Sequence, residues 1–216
     1  LNLIKEFNPQ ICFHLAAQSS VVVSVGDPLL DFEHNILQPV QLIKTLLTTD
    51  CSKFVFTSSG GTIFGEPNIL PTSEEDFAGE PESPYGIGKK KLNEIITSMT
   101  IDTHMSYSIL NLSNVYGPRQ DPHGEAGVVS IFSNKILNNE KPIIYGDGKQ
   151  TRDYIYVKDV VNALILSSKI ESNLFLNVGT GIETSVNHLL ETIKSEFASD
   201  IEPIYQESRK GELLRS

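Results

Sequence analysis

A chain of 216 residues with 39% hydrophobic content can bury a sizeable core, as one domain or one and a half. Its formal net charge of −10 argues against a general nucleic-acid or anionic-membrane surface, while leaving room for a phosphate held by a few local arginines. Two cysteines make neither a disulfide framework nor a metal-ligand spacing, and no apolar run is long enough to span a membrane, so a reducing cytoplasmic setting is expected.

The chain opens at Leu1 inside what reads as a helix, and it stops at Ser216 without an obvious ending, which suggests a fragment cut at both ends. The run from Gln10 to Ala17 is apolar, follows Pro9 and reads as a buried strand ending in small residues. Small residues at a strand's carboxyl end let a ligand approach the backbone, and in open α/β sheets ligands bind at that end. His14 in this run reads as a packed residue rather than a ligand. Asp27-Pro28 opens a helix to about Asp50, with Phe32, Ile36, Val40, Ile43, Leu46 and Leu47 on one face. Pro39 inside it should kink or break it. Asn35 lies on it amid apolar neighbours, where an amide needs a partner.

A second strand from Lys53 ends in the hydroxyls and glycines of Thr57-Ser58-Ser59-Gly60-Gly61, either a polar turn or a donor cluster at the sheet's carboxyl edge. The stretch from Gly65 to Pro81 reads as surface loop. Ser83-Pro84 then starts a helix, Ser83 as N-cap and Pro84 at the first helical position. Ile87, Leu92, Ile95, Ile96 and Met99 give it a buried stripe. Tyr85 and Lys89, four apart, share one face of its first turns. A free Tyr titrates near a pKa of about 10, and a nearby cation stabilises its phenolate, so this pair can act as a base. The same pair is common on amphipathic helices that do no chemistry, so its neighbours must decide. A third strand, Tyr107–Leu112, runs into Ser113-Asn114-Val115-Tyr116-Gly117-Pro118. Strand alternating with helix to this point is the pattern of a parallel, doubly wound α/β sheet. Beyond it we expect a helix from about Val128 to Asn138, a short strand and turn from Pro142 to Gly148, a strand Thr151–Val157, a helix Lys158–Lys169, a strand Phe175–Val178 and a helix capped by Thr184 or Ser185.

Together these pieces resemble the extended short-chain dehydrogenase/reductase family, in its NAD-dependent epimerase/dehydratase branch that acts on nucleotide sugars. The resemblance rests on Ser58-Ser59, on Tyr85 and Lys89, on Asn114 to Pro118, on Gly146 to Tyr154, on Asn177 to Gly181 and on Arg209 to Glu212, in that order along nearly the whole chain. It implies a Rossmann-type sheet over residues 1–115, with 152–178 packing back on it, and a smaller mixed α/β substrate region over 116–216. It implies NAD as cofactor, a nucleotide-diphosphate sugar such as a UDP-sugar as substrate, and a homodimer formed through the Tyr85 helix and the helix from Asp27 to Asp50. By this resemblance Tyr85 is the base, and Lys89 lowers its pKa and holds the nicotinamide ribose. Ser59, less surely Ser58, bonds the reacting hydroxyl. Leu15, Ala16 and Ala17 line the cofactor with Asn35 in support, while Asn114, Arg152 and Arg209 grip the diphosphate. Glu212 takes ribose hydroxyls, and Ser216 stands where sugar size is controlled. A strand-edge salt bridge is the plain alternative for Arg152, and a solvated side chain for Arg209 and Glu212.

The chain departs from that pattern in three places. The Gly-rich phosphate loop that should follow the first strand is absent, which implies a missing N-terminal piece. Gln38-Pro39 stands where Gly-Thr is common, and Ser58-Ser59-Gly60-Gly61 is one residue longer than in some members. Related dehydratases carry acidic residues just after the Ser/Thr and decarboxylases a Glu. Gly60, Gly61 and Thr62 offer no acid or base there. The resemblance therefore implies 4-epimerisation through a 4-keto sugar, with dehydration, reduction or an inactive truncated relative as the alternatives.

Overall fold

A computed structural model describes residues 1–67, 69–75, 79–123, 127–208 and 213–216. Helix α1 (Asn2–Phe7) precedes strand β1 (Ile11–His14), which leads through α2 (Val21–Gly26) to a long helical stretch. That stretch consists of α3 (Pro28–Phe32), a π-helical turn (Glu33–Leu37) and α4 (Gln38–Leu46). Strand β2 (Lys53–Ser59), the short α5 (Gly60–Ile63), α6 (Pro84–Thr100) and β3 (Ser106–Leu112) follow. Next come β4 (Asn114–Tyr116), α7 (Val128–Leu137), β5 (Ile143–Tyr145), β6 (Thr151–Arg152), β7 (Tyr154–Tyr156) and α8 (Val157–Ser168). The last elements are β8 (Leu174–Val178), β9 (Thr184–Ser185), α9 (Val186–Glu196) and β10 (Ile204–Gln206).

The main sheet is parallel throughout, in the order β1-β2-β3-β8. Its central strands are apolar on both faces because helices cover both. Phe54, Phe56 and Ile109 pack with Ile43 and Leu46 of α4 and Leu92 and Ile96 of α6. Val55 and Leu110, one residue out of phase, meet Val160 and Leu164 of α8. This is a Rossmann-type α/β fold. A separate cluster joins Phe132 and Ile136 of α7, Ile144 of β5, and Val186, Leu190 and Ile193 around α9.

Several expectations hold at the level of single residues. Ser83 caps α6 by accepting a hydrogen bond from Gly86 N at 3.1 Å, and Ser185 caps α9 by accepting one from His188 N at 3.1 Å. Others need correction. β1 is not buried: it is the outer strand of the described sheet, with Ile11 and Phe13 exposed and the ladder ending at His14. Phe32 also faces outward, at the end of α3 where Asp31 is the residue turned in, and so does Ile87, because the inward stripe of α6 runs through Tyr85, Lys89, Leu92 and Ile96. Pro39 does not end its helix. It has no N–H to offer the Asn35 carbonyl, and the wider π turn directly ahead of it takes up the mismatch. The expected strand Thr151–Val157 is two strands. Asp153 divides them, giving its N–H to Ser216 O and its carbonyl to Asn114 N, so β6 pairs with β9 and β7 with β4.

Candidate active site

α6 points its N-terminus at the carboxyl edge of the sheet and buries both members of the pair: Tyr85 is 9% and Lys89 3% exposed. Tyr85 N donates to Ser24 Oγ at 3.2 Å, which ties the start of α6 to α2. Ser59, the last residue of β2, lies near enough to the Tyr85 phenol to lower its pKa. Lys89 Nζ donates to Thr57 O at 3.1 Å, lies over the Phe56 ring at 4.7 Å and stands 5.8 Å from the centroid of the Tyr85 ring. Three expected residues thus meet. Ser58 does not join them: alternation puts it on the face of Phe54 and Phe56, and its Oγ is buried without a hydrogen-bond partner.

The electrostatics of the pair differ from expectation in direction. Burial pushes the Tyr85 phenol above its ordinary value, the Ser59 hydroxyl pulls it down, and the carboxylate of Asp31 pushes it up. Burial pulls Lys89 down to about 8, against the Asp31 charge. Each charge pays for leaving water, and that cost outweighs the help the ammonium was expected to give the phenol. His14 stacks on Phe54 and Phe56 and is pulled down to about 4 by burial, with the Lys89 charge adding to the effect. The expected packing role fits this neutral ring.

Leu15, Ala16 and Ala17, all exposed, follow directly on the end of β1. Asn35, 2% exposed, fixes the chain just beyond them: its Oδ1 accepts from Gln18 N at 3.0 Å and its Nδ2 donates to Gln18 O at 2.9 Å. That is the partner its amide needed. These small exposed residues on a clamped backbone suit a flat cofactor ring lying along the strand end, and the nearby ammonium suits ribose hydroxyls.

A cleft of about 340 Å³ continues from Ser59. Gly60, Gly61, Asn114, Asp153, Gly179 and Ser216 are on its walls. A side chain begun at Gly61 would point at Ser216 Oγ, 3.5 Å away, and Asn114 Nδ2, 3.9 Å away. The segment ending in Ser216 is laid beside β6, with Thr151 N donating to Leu214 O at 2.9 Å, so Arg152 and Ser216 are neighbours by backbone. Arg152 Nη1 donates to Thr151 O at 2.7 Å. Arg209 and Glu212 lie outside the described residues.

Three features escaped the sequence reading. Asp153 accepts from Thr180 N, Thr180 Oγ1 and Gly181 N at 2.7 to 3.0 Å, pinning the turn after β8 against the cleft. A row of amides, Asn93 to Asn111 to Asn177 and on to Thr72 O, ties the cleft's lip to the sheet. Asp31 is buried beside Asn35. Its one sequence signal was an acid four residues before the singled-out amide.

The NAD dependent epimerase/dehydratase family model matches residues 1–179. The chain belongs to that family. A UDP-glucose 4-epimerase of Mycolicibacterium smegmatis is 43% identical over 216 residues, which is 99% of this chain and 68% of the relative. Among solved structures, the UDP-glucose 4-epimerase of Thermotoga maritima with UDP-glucose superposes with a TM-score of 0.96 at 41% identity, covering 100% of this chain and 70% of that one. The UDP-N-acetylglucosamine 4-epimerase of Methanobrevibacter ruminantium, in complex with UDP-N-acetylmuramic acid, gives 0.93 at 36%, covering 100% and 68%. The epimerase family is NAD-dependent, and the resemblance to it is borne out.

Proposed function

We propose that the chain carries the acid–base and sugar-binding half of an NAD-dependent 4-epimerase acting on a UDP-hexose, UDP-N-acetylhexosamine or similar nucleotide-diphosphate sugar. The observation that carries this reading is the meeting of Ser59, Tyr85 and Lys89, with the two residues that follow Ser59, both glycines, on the wall of a cleft. Bound NAD supplies the hydride acceptor and donor. Tyr85, as its phenolate beside Ser59, takes the proton from the sugar 4-hydroxyl to become the phenol, and returns it after the 4-keto sugar has turned over. Lys89 contributes positive charge and a donor for the nicotinamide ribose, and Leu15, Ala16 and Ala17 line the ring with Asn35 behind them. Asn114 and Arg152, with Arg209, hold the diphosphate while the sugar rotates, because guanidinium forks match phosphate oxygens. Glu212 takes the ribose. A carboxylate at the neighbouring carbon would be needed for dehydration. Gly60 and Gly61 provide none, and a side chain at Gly60 would press on the carbonyls of Asn111 and Leu112 at 3.2 Å.

The small Ser216 side chain leaves room for an N-acetyl group, so both UDP-glucose and UDP-GlcNAc are substrates. Product analysis checks both points: each sugar should give its 4-epimer at unchanged mass. A dehydrated or reduced product sinks the epimerase reading, and turnover of UDP-glucose alone sinks the role of Ser216. We further infer a homodimer through α6 and the helices from Pro28 to Leu46, supported by the exposed Leu29, Phe32, Leu37 and Ile87. Sedimentation of the parent and of Ile87→Asp reads this directly, a monomeric parent being the contrary result. Two free thiols and the lack, among the described residues, of any helix able to cross a membrane fit a cytoplasmic site of action.

A further inference from the structure

Asp31 is 1% exposed, and burying a carboxylate is costly unless its charge is answered. Its Oδ1 accepts from Gln18 Nε2 at 2.7 Å and from Asn35 Nδ2 at 2.8 Å. Its other oxygen faces α6, since a side chain begun at Gly88 would meet Oδ2 at 3.4 Å. Gly88 immediately precedes Lys89, so the carboxylate lies against the turn of α6 that carries Lys89. A buried anion on α3 therefore stands beside a buried cation on α6. Lys89 itself lies against uncharged groups, the Thr57 carbonyl and the Phe56 and Tyr85 rings.

We propose that Asp31 is a positioning residue for the catalytic pair: it is the buried counter-charge that keeps Lys89 an ammonium, and through Gln18 and Asn35 it ties that charge to the segment leaving β1. This rests on the epimerase reading only for its consequence in turnover. The directions of titration agree with the geometry, because the Asp31 charge opposes the downward pull of burial on Lys89 and adds to the upward push on Tyr85. Few other charges reach this place. His14 on β1 interacts with Lys89 but is neutral above about pH 4. α2 and α5 hold no ionisable side chain, and Glu33, His34 and Lys44 on the π turn and α4 are exposed. Lys53 of β2 is turned to the carbonyls of Tyr107 and Ser172, and Tyr107 is the ionisable residue of β3.

The test follows the Lys89 side-chain nitrogen by NMR through a pH titration of the chain, in the parent, Asp31→Asn and Asp31→Glu. Loss of the negative charge should lower the Lys89 midpoint by roughly one pH unit, and Asp31→Glu should restore it. In turnover, both limbs of the kcat profile should move to lower pH in Asp31→Asn, because Lys89 and Tyr85 both titrate lower without the anion. A purely structural residue would lower the plateau and leave the limbs in place. An unchanged Lys89 midpoint in folded Asp31→Asn overturns the proposal. Failure of both Asp31→Asn and a second charge-free variant, Asp31→Ser, to fold also overturns it, by assigning the carboxylate to the fold alone. The NMR reading needs no substrate, so a parent without epimerase activity would count against the proposed function and leave this assignment standing.

Discussion

At the scale of single residues, the proposed chemistry rests on a phenol whose pKa burial raises. Such a group is suited to take a proton only when substrate and cofactor complete its surroundings, which separates binding from turnover. Tyr85→Phe should lower kcat by roughly 10²- to 10⁴-fold, the usual worth of a general base, and leave the affinity for a UDP-sugar within a few-fold. Steady-state kinetics and calorimetric titration check the two halves separately, and near-normal turnover would remove Tyr85 from the mechanism. His14 makes a second prediction. Its folded-state value of about 4 lies below the ordinary 6.5, so between those values the unfolded chain binds more protons. Folding stability should therefore fall as pH drops from 6.5 to 4, and His14→Phe, which keeps a ring on Phe54 and Phe56, should flatten that slope in urea unfolding. An equal slope in both proteins would mean that other groups set the acid sensitivity.

At the scale of elements, two helices carry the site and each is specified differently. The α6 helix is announced locally. Ser83 caps it, Pro84 fixes its first turn, and Tyr85, Lys89, Leu92 and Ile96 repeat at helical spacing on the buried face. Ser83→Ala should cost about 1 kcal/mol through the lost bond to Gly86 N, read as a lower urea midpoint with unchanged slope. The stretch from Pro28 to Leu46 was legible as a helix, but its π turn was not. Pro39 signalled only that one hydrogen bond was missing. Whether the chain breaks, kinks or widens at such a point depends on what packs there, and here Asn35 and Ile36 are buried within the turn. Asn35 was recognised as an amide in need of a partner, yet the partner, the backbone of Gln18, comes from a segment 17 residues away.

At the scale of the whole molecule, the cleft is assembled from pieces distant in sequence. β8 lies beside β3, the turn after β8 is held by Asp153, and the segment ending in Ser216 runs beside β6. Asp153 is the joint among them. Asp153→Ala leaves the N–H groups of Thr180 and Gly181 without their acceptor and should destabilise the chain by about 1–3 kcal/mol. UDP-sugar affinity should fall with it, which calorimetry and urea unfolding together would show. Intact affinity would mean that the turn holds its shape without the carboxylate.

The sequence by itself determined the alternation of strand and helix, the caps, most of the inward stripe of α6 and the placing of Tyr85 and Lys89 on one helix face. All of these follow from period, local hydrogen bonding and residue chemistry within a few positions. Only the tertiary structure decided that β1 is an outer strand, that Thr151–Tyr156 divides at Asp153, that Ser59 rather than Ser58 meets the phenol, and that Asp31 is buried behind Lys89. These depend on which surfaces meet across long sequence separations. Burial and electrostatic coupling belong to the packed neighbours of a group, and periodicity names the side of an element that packs without naming what it packs against.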